Sequence, residues 1–186
     1  LSPAARRLIE GPSQTVGLCI SAQRPIADRS ELIHFINALT QTPSRSILFV
    51  PMNPITDAKL MRELIDHMHH PERAALIEGT YEPDQIAGIA GELDVVISSR
   101  LHLLILASIS NVPIIGVGRG SKINSFLQPY GLTPAGTVEH CNFESLHRET
   151  LRMLNERSSF DPVSRQVQSY MQSRLHQAID QLAEVL

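Results

Sequence analysis

Asp94-Val95-Val96-Ile97-Ser98-Ser99-Arg100-Leu101-His102-Leu103-Leu104-Ile105-Leu106-Ala107-Ser108-Ile109 is the stretch that decides the fold. Its first six residues form a β-branched run that ends in two serines, which reads as a buried strand followed by a helix N-cap. The aliphatic run after it reads as the helix. Arg100 and His102 are then expected in the first helical turn, where backbone N–H groups lack partners and the helix dipole is positive. Cations there cost about 0.3–1 kcal/mol each, so the arrangement calls for an anion held by N–H groups, guanidinium and imidazole together. The strand-to-helix junction is therefore a candidate anion site.

Strands and helices alternate on both sides of this junction. Strands are expected at Val16–Ser21, Ser46–Val50, Ala74–Glu78, Asp94–Ser99 and Val112–Val117. Helices are expected at Glu31–Leu39 with Ser30 as cap, from a cap at Thr56 or Asp57 to Met68, and at Pro83–Ala90, Arg100–Ser110 and Lys122–Tyr130. Such alternation predicts right-handed βαβ units and a Rossmann-like parallel sheet covered by helices on both faces. With the strand order 3-2-1-4-5, taken from fold analogy, the ligand crevice lies between the first and fourth strands. Residues 1–13 show no strong pattern and read as a linker or the end of a preceding element. Residues 14–142 form the expected Rossmann-like domain, and 143–186 are helical. In that last part Phe143–Arg157 is one helix, and Asp161-Pro162 opens a final helix to Leu186. Val163, Val167, Tyr170, Leu175, Ile179, Leu182 and Leu186 recur along it at helical spacing, which predicts one docked face.

The composition limits what such a domain does. At 186 residues, 42% hydrophobic and 19% charged, the chain has enough apolar content for one ordinary core. Aromatics make up 4% with no Trp, and the net charge is −3 with a pI near 6.2, so no basic or base-stacking surface for nucleic acid is expected. Cys19 and Cys141 stand far apart and form no metal or redox motif. The most hydrophobic stretch, residues 93–118, is interrupted by Asp94, Arg100, His102, Asn111 and Pro113, so no transmembrane segment is expected. The chain opens on Leu1 rather than Met and is expected to be a piece of something longer.

On one sheet edge an otherwise acidic chain gathers cations. Arg24 follows the first strand, Arg100 and His102 the fourth, and Arg119 and Lys122 the fifth. Arg119 reads equally as a site residue or a solvated one. Gly116, Gly118 and Gly120 follow the wrong strand, at the wrong spacing, for either common nucleotide loop, and leave a flexible loop whose N–H groups and Lys122 can approach a phosphate. His67, His69 and His70 lack metal-ligand spacing and read as a cationic helix end, with no metal expected. A second Arg-Leu-His, at residues 174–176, lies on the long final helix with no strand before it and reads as structural.

The run from Asp94 to His102, the aliphatic helix, Asn111-Val112-Pro113-Ile114-Ile115-Gly116, Lys122, Phe126 and Gly131-Leu132 together resemble the polysaccharide pyruvyltransferase family. That resemblance implies the C-terminal, donor-binding half of a GT-B-like enzyme, packed against an N-terminal domain that carries the acceptor site. It implies phosphoenolpyruvate as donor substrate, no cofactor, and a saccharide or lipid-linked saccharide as acceptor. The expected activity is transfer of pyruvate as a ketal onto sugar hydroxyls with release of phosphate, in exopolysaccharide or cell-envelope biosynthesis. The expected place is the cytoplasm, including the inner face of the membrane, with the isolated domain inactive. His102 is implied as the catalytic group, and Arg100, Leu101, Arg24, Lys122 and Ser99 as substrate-binding. The alternatives are a GT-B nucleotide-sugar glycosyltransferase domain, which would want a carboxylate somewhere in Gly116–Gly131, and a non-catalytic binding module.

Overall fold

The aliphatic runs form five parallel strands, of which the third, second, first, fourth and fifth in chain order lie side by side, the expected doubly wound arrangement. The strands are β1 (Gln14–Cys19), β2 (Arg45–Phe49), β3 (Ala74–Leu76), β4 (Val95–Ser98) and β5 (Ile114–Gly116), in a computed structural model that describes residues 1–183. Registers are tight: Leu18 pairs with Phe49 on one side and Ile97 on the other, and Ile97 pairs in turn with Ile115. All four residues of β4 are buried, as a strand covered on both faces requires.

Helices α2 (Arg29–Thr40), α3 (Thr56–Ile65), α4 (Pro83–Gly91) and α5 (Leu101–Ile109) make the connections, and α6 (Ser121–Leu127) follows β5. Right-handed crossovers place α2 and α3 on one face of the sheet and α4 and α5 on the other. On the first face α2 also meets α7 (Phe143–Asn155), and on the second α4 packs along α5. Because β1 and β4 are neighbours whose connections leave in opposite directions, their carboxyl ends open into the crevice of a topological switch point.

Several boundaries differ from the sequence reading, each for a local reason. Residues 1–13 are not patternless: α1 (Pro3–Glu10) forms there, with Ser2 Oγ accepting from the Ala5 N–H and Pro at its start. Ala5 is buried, and Thr15 Oγ1 donates to the Leu8 carbonyl, so this helix is tied to the sheet. The α2 cap is Asp28, accepting from the Glu31 N–H, rather than Ser30. At α3 the side chain of Asn53 takes the Ile55 and Thr56 N–H groups, which releases Asp57 for another task.

The final helix, α8 (Arg157–Ala183), begins before Asp161-Pro162 and carries Pro162 within it. Its first turn is drawn in by Phe160, which stacks on Tyr130 with ring centroids 5.8 Å apart and planes 9° from parallel. Val167 is buried, and Ser164 and Gln168 both donate to the Ser108 carbonyl at the end of α5. Beyond that point the expected docked face is exposed at Tyr170, Leu175 and Ile179, as is the neighbouring Met171. The Leu182 side chain and Leu186 lie outside the described residues. The second Arg-Leu-His thus sits on an exposed stretch of helix, away from any strand end.

Both cysteines are free thiols, and burial pushes Cys19 up to about 12 and Cys141 up to about 11. On α7, His147 meets the Phe35 ring edge-on at 6.2 Å, with its Nε2 buried and without a partner. Burial, and then the Arg45 charge, hold this imidazole below its usual 6.5. The folded state therefore binds that proton less tightly than the unfolded chain, so the contribution is complete above 6.5 and is lost as the pH falls through the lowered value. Thermal unfolding at pH 7.5 and pH 5.5 should show a smaller acid-induced loss in His147→Phe than in the wild type. Equal losses would assign the acid sensitivity to other groups.

Candidate functional site

The carboxyl ends of β1, β4 and β5 are fastened to one another before any charged side chain is considered. The Ser99 N–H donates to the Cys19 carbonyl at 2.9 Å, and Ser99 Oγ accepts from the Ser21 N–H at 2.9 Å. On the other side the Val117 N–H reaches the Ser98 carbonyl at 3.0 Å. Ser98 Oγ accepts from the Arg100 N–H at 2.8 Å and donates to the Arg100 carbonyl at 2.9 Å, a tight turn that sets the start of α5. Arg100 is the residue preceding α5 rather than part of its first turn.

Arg100 finds its anion inside the protein. Its Nη2 and Nε donate to Asp57 Oδ1 and Oδ2 at 2.8 and 3.0 Å, a two-point pairing with a fully buried carboxylate. The same carboxylate accepts from the Ala22 N–H at 2.8 Å and the Asn53 N–H at 3.0 Å. Asp57 thereby joins the loops after β1 and β2 to the start of α5. This pairing is the answer to the misplaced charge that the sequence reading matched with an external anion.

Arg24 is exposed, pairs with Glu139, and donates through Nη1 to the Arg119 carbonyl. The segment carrying Glu139 is itself anchored, because the Val138 N–H reaches the Gly118 carbonyl and the Ala27 N–H reaches the Val138 carbonyl, at 2.9 and 2.8 Å. Around these anchors lies a hollow of about 360 Å³ lined by Ser99, Leu101, Arg119, Gly120, Ser121, Lys122 and Ile123. Gly120 adopts φ 150°, a conformation that favours glycine, as the chain turns into α6.

His102 is exposed and belongs to a different hollow. That one is about 210 Å³ and is lined by Met52, Tyr81, Pro83, Ile86, Ile105 and Leu106. Successive helical residues point about 100° apart, so Leu101 and His102 face opposite flanks of α5. Of the residues marked out in the sequence, Ser99, Leu101 and Lys122 share one hollow, Arg24 and Arg100 stand behind it in ion pairs, and His102 stands across the helix. Asp57 and Glu139 were missed as partners. Among the described residues no cluster of His, Cys, Asp and Glu could hold a metal ion, and no helix is long and apolar enough to cross a membrane.

Residues 13–121 match the model of the family described as polysaccharide pyruvyl transferase. The chain belongs to that family. The matched span contains every strand and the whole edge just described except Lys122, Ile123 and the segment around Glu139. No curated protein matches the chain.

Among solved structures, the fold of this pyruvyl transferase domain is similar to UDP-GlcNAc 2-epimerase from Neisseria meningitidis. The TM-score is 0.60 at 12% identity, over 86% of this chain and 41% of that one. It is similar also to the ADP-heptose lipopolysaccharide heptosyltransferase II of E. coli, with a TM-score of 0.62 at 10% identity, over 85% and 53% of the two chains. A third match is the C-terminal domain of a group 1 glycosyl transferase from Francisella tularensis, with a TM-score of 0.61 at 12% identity, over 86% and 85%. The chain thus spans about two fifths of the epimerase's length and nearly all of an isolated C-terminal domain. At these identities the likeness shows the fold, that of one half of a GT-B-like molecule.

Proposed function

We propose that this chain is the donor-binding half of an enzyme that moves the pyruvyl group of phosphoenolpyruvate onto two hydroxyls of a saccharide. One observation carries the reading: in a pyruvyl transferase, the segments after β4 and β5 enclose a hollow lined by two cations, Arg119 and Lys122, and by no acid. Phosphoenolpyruvate carries a carboxylate and a phosphate, which suit guanidinium and ammonium groups converging on one pocket. Lys122 meets one anionic group, and the Ser99–Leu101 turn forms the wall of the pocket. Arg24 exchanges its exposed Glu139 partner for the ligand, while Arg100, neutralised by Asp57, fixes the turn that forms that wall.

The reaction balances without a cofactor. A proton adds to the methylene carbon of phosphoenolpyruvate, and the adjacent carbon becomes oxocarbenium-like. One sugar hydroxyl bonds to that carbon and gives up its proton. The carbon–oxygen bond to phosphate breaks, inorganic phosphate departs, and a second hydroxyl closes the ketal with loss of its own proton. His102, exposed at the start of α5, is the proposed proton-transfer group. The acceptor saccharide, free or lipid-linked, binds chiefly to the other half of the molecule, at the cytoplasmic face of the membrane.

Thermal unfolding of the full-length protein with phosphoenolpyruvate, UDP-GlcNAc or neither tests this reading. At about 100 times its Kd, phosphoenolpyruvate should stabilise the protein by about 2.7 kcal/mol, with UDP-GlcNAc inert. Stabilisation by UDP-GlcNAc alone would transfer the domain to nucleotide-sugar chemistry, and no response to either would make it a non-catalytic module.

A further inference from the structure

The Arg-Leu-His turn draws attention to Arg100, yet Arg100 already has a complete partner in Asp57. The cations at this edge divide into two classes. Arg24 and Arg100 each face a carboxylate, Glu139 and Asp57. Arg119 and Lys122 form no ion pair among the described residues. Both line the 360 Å³ hollow.

We propose that Arg119 is a donor-binding residue, its guanidinium taking one anionic group of the ligand while Lys122 takes the other. This rests on the donor reading above and goes beyond the residues that the family resemblance implies. Arg119 is half-buried and lines the hollow, and its Nε is a desolvated donor with no hydrogen-bond partner. Burial, followed by the repulsion of the neighbouring Arg100 and Arg24 charges, holds the guanidinium below its ordinary value, with Asp57 opposing. Arginine remains charged at any ordinary pH, so this strain is relieved by an anion rather than by proton loss.

The segment is also fixed in advance. Gly118 is bonded on both sides, its N–H to the Gly136 carbonyl and its carbonyl to the Val138 N–H, each at 2.9 Å, and the Arg119 carbonyl is held by Arg24. A loop so constrained loses little backbone freedom when the guanidinium it carries pairs with an oxyanion. Two unmatched cations in one pocket favour a ligand with two anionic groups over a monoanion.

Calorimetric titration of phosphoenolpyruvate into the full-length protein decides the matter. Arg119→Gln should weaken binding about tenfold or more. Its ligand-free unfolding temperature should stay within about 2 °C of wild type, because no partner is lost. Arg119→Lys keeps the charge without the planar fork and should weaken binding less, and it decides alone if the Gln variant fails to fold. Folded variants that bind like wild type would overturn the proposal. If wild type ignores phosphoenolpyruvate, the functional reading fails, and inorganic phosphate and UDP-GlcNAc become the probes. Loss of that binding in Arg119→Gln would still support the residue assignment, whereas a wild type that binds none of the three would overturn it.

Discussion

Asp57→Ala should lower the stability of this domain by about 3–5 kcal/mol, the cost of stranding one member of a buried ion pair. In a domain of this size that corresponds to roughly 6–20 °C in unfolding temperature. The magnitude follows from what the carboxylate does. It is fully buried and accepts four hydrogen bonds, two from Arg100 and two from the backbone N–H groups of Ala22 and Asn53. Removing it leaves a mostly buried guanidinium and two desolvated N–H groups without partners. Asp57→Asn should fare little better, because its NH₂ must face N–H donors. A double replacement, Asp57→Ala with Arg100→Leu, should cost less than the sum of the single changes, since it removes both charges together. Thermal or urea unfolding of the wild type, the three single variants and the double variant measures this, and an Asp57→Ala transition within about 2 °C of wild type would contradict the account. Anion binding should fall as well, because the same carboxylate fastens the loops after β1 and β2 beside the pocket.

The sheet was legible because buried parallel strands announce themselves as unbroken Val, Ile and Leu runs, and the strand order 3-2-1-4-5 follows once the chain is taken as doubly wound. The junction at Ser98–Leu101 was legible for the same reason, being where one period gives way to the other. The partner of Arg100 was not, since Asp57 lies 43 residues away and looks locally like one more helix cap. Asn53 performs the capping instead, so the misreading of the cap concealed the ion pair. The start of α8 was obscured by Asp161-Pro162, a strong local signal overridden by the stacking of Phe160 on Tyr130. The division of Leu101 and His102 between two hollows could not be read from strand ends alone, because it depends on what the loops after β2, β3 and β5 place on either flank of α5.

That division makes His102 the most informative residue to change. As the proton-transfer group, His102→Ala should lower kcat for ketal formation about 10²–10⁴-fold in the full-length enzyme. Its unfolding temperature should hardly move, because the ring is exposed and lies outside the Asp57 network. The KM for phosphoenolpyruvate should also change little, since the cations proposed to hold the donor lie across α5. A raised KM with kcat intact would instead make His102 a ground-state contact to a ligand extending over both flanks of the helix. Unchanged kcat and KM would remove it from the chemistry and require the acid and base to come from the acceptor half. Compared with Arg119→Gln in the same assay, the expected pattern is reciprocal, the arginine change acting on donor affinity and the histidine change on turnover. A donor seated between the two hollows, with its anionic groups towards α6 and its methylene carbon towards His102, would produce both effects at once.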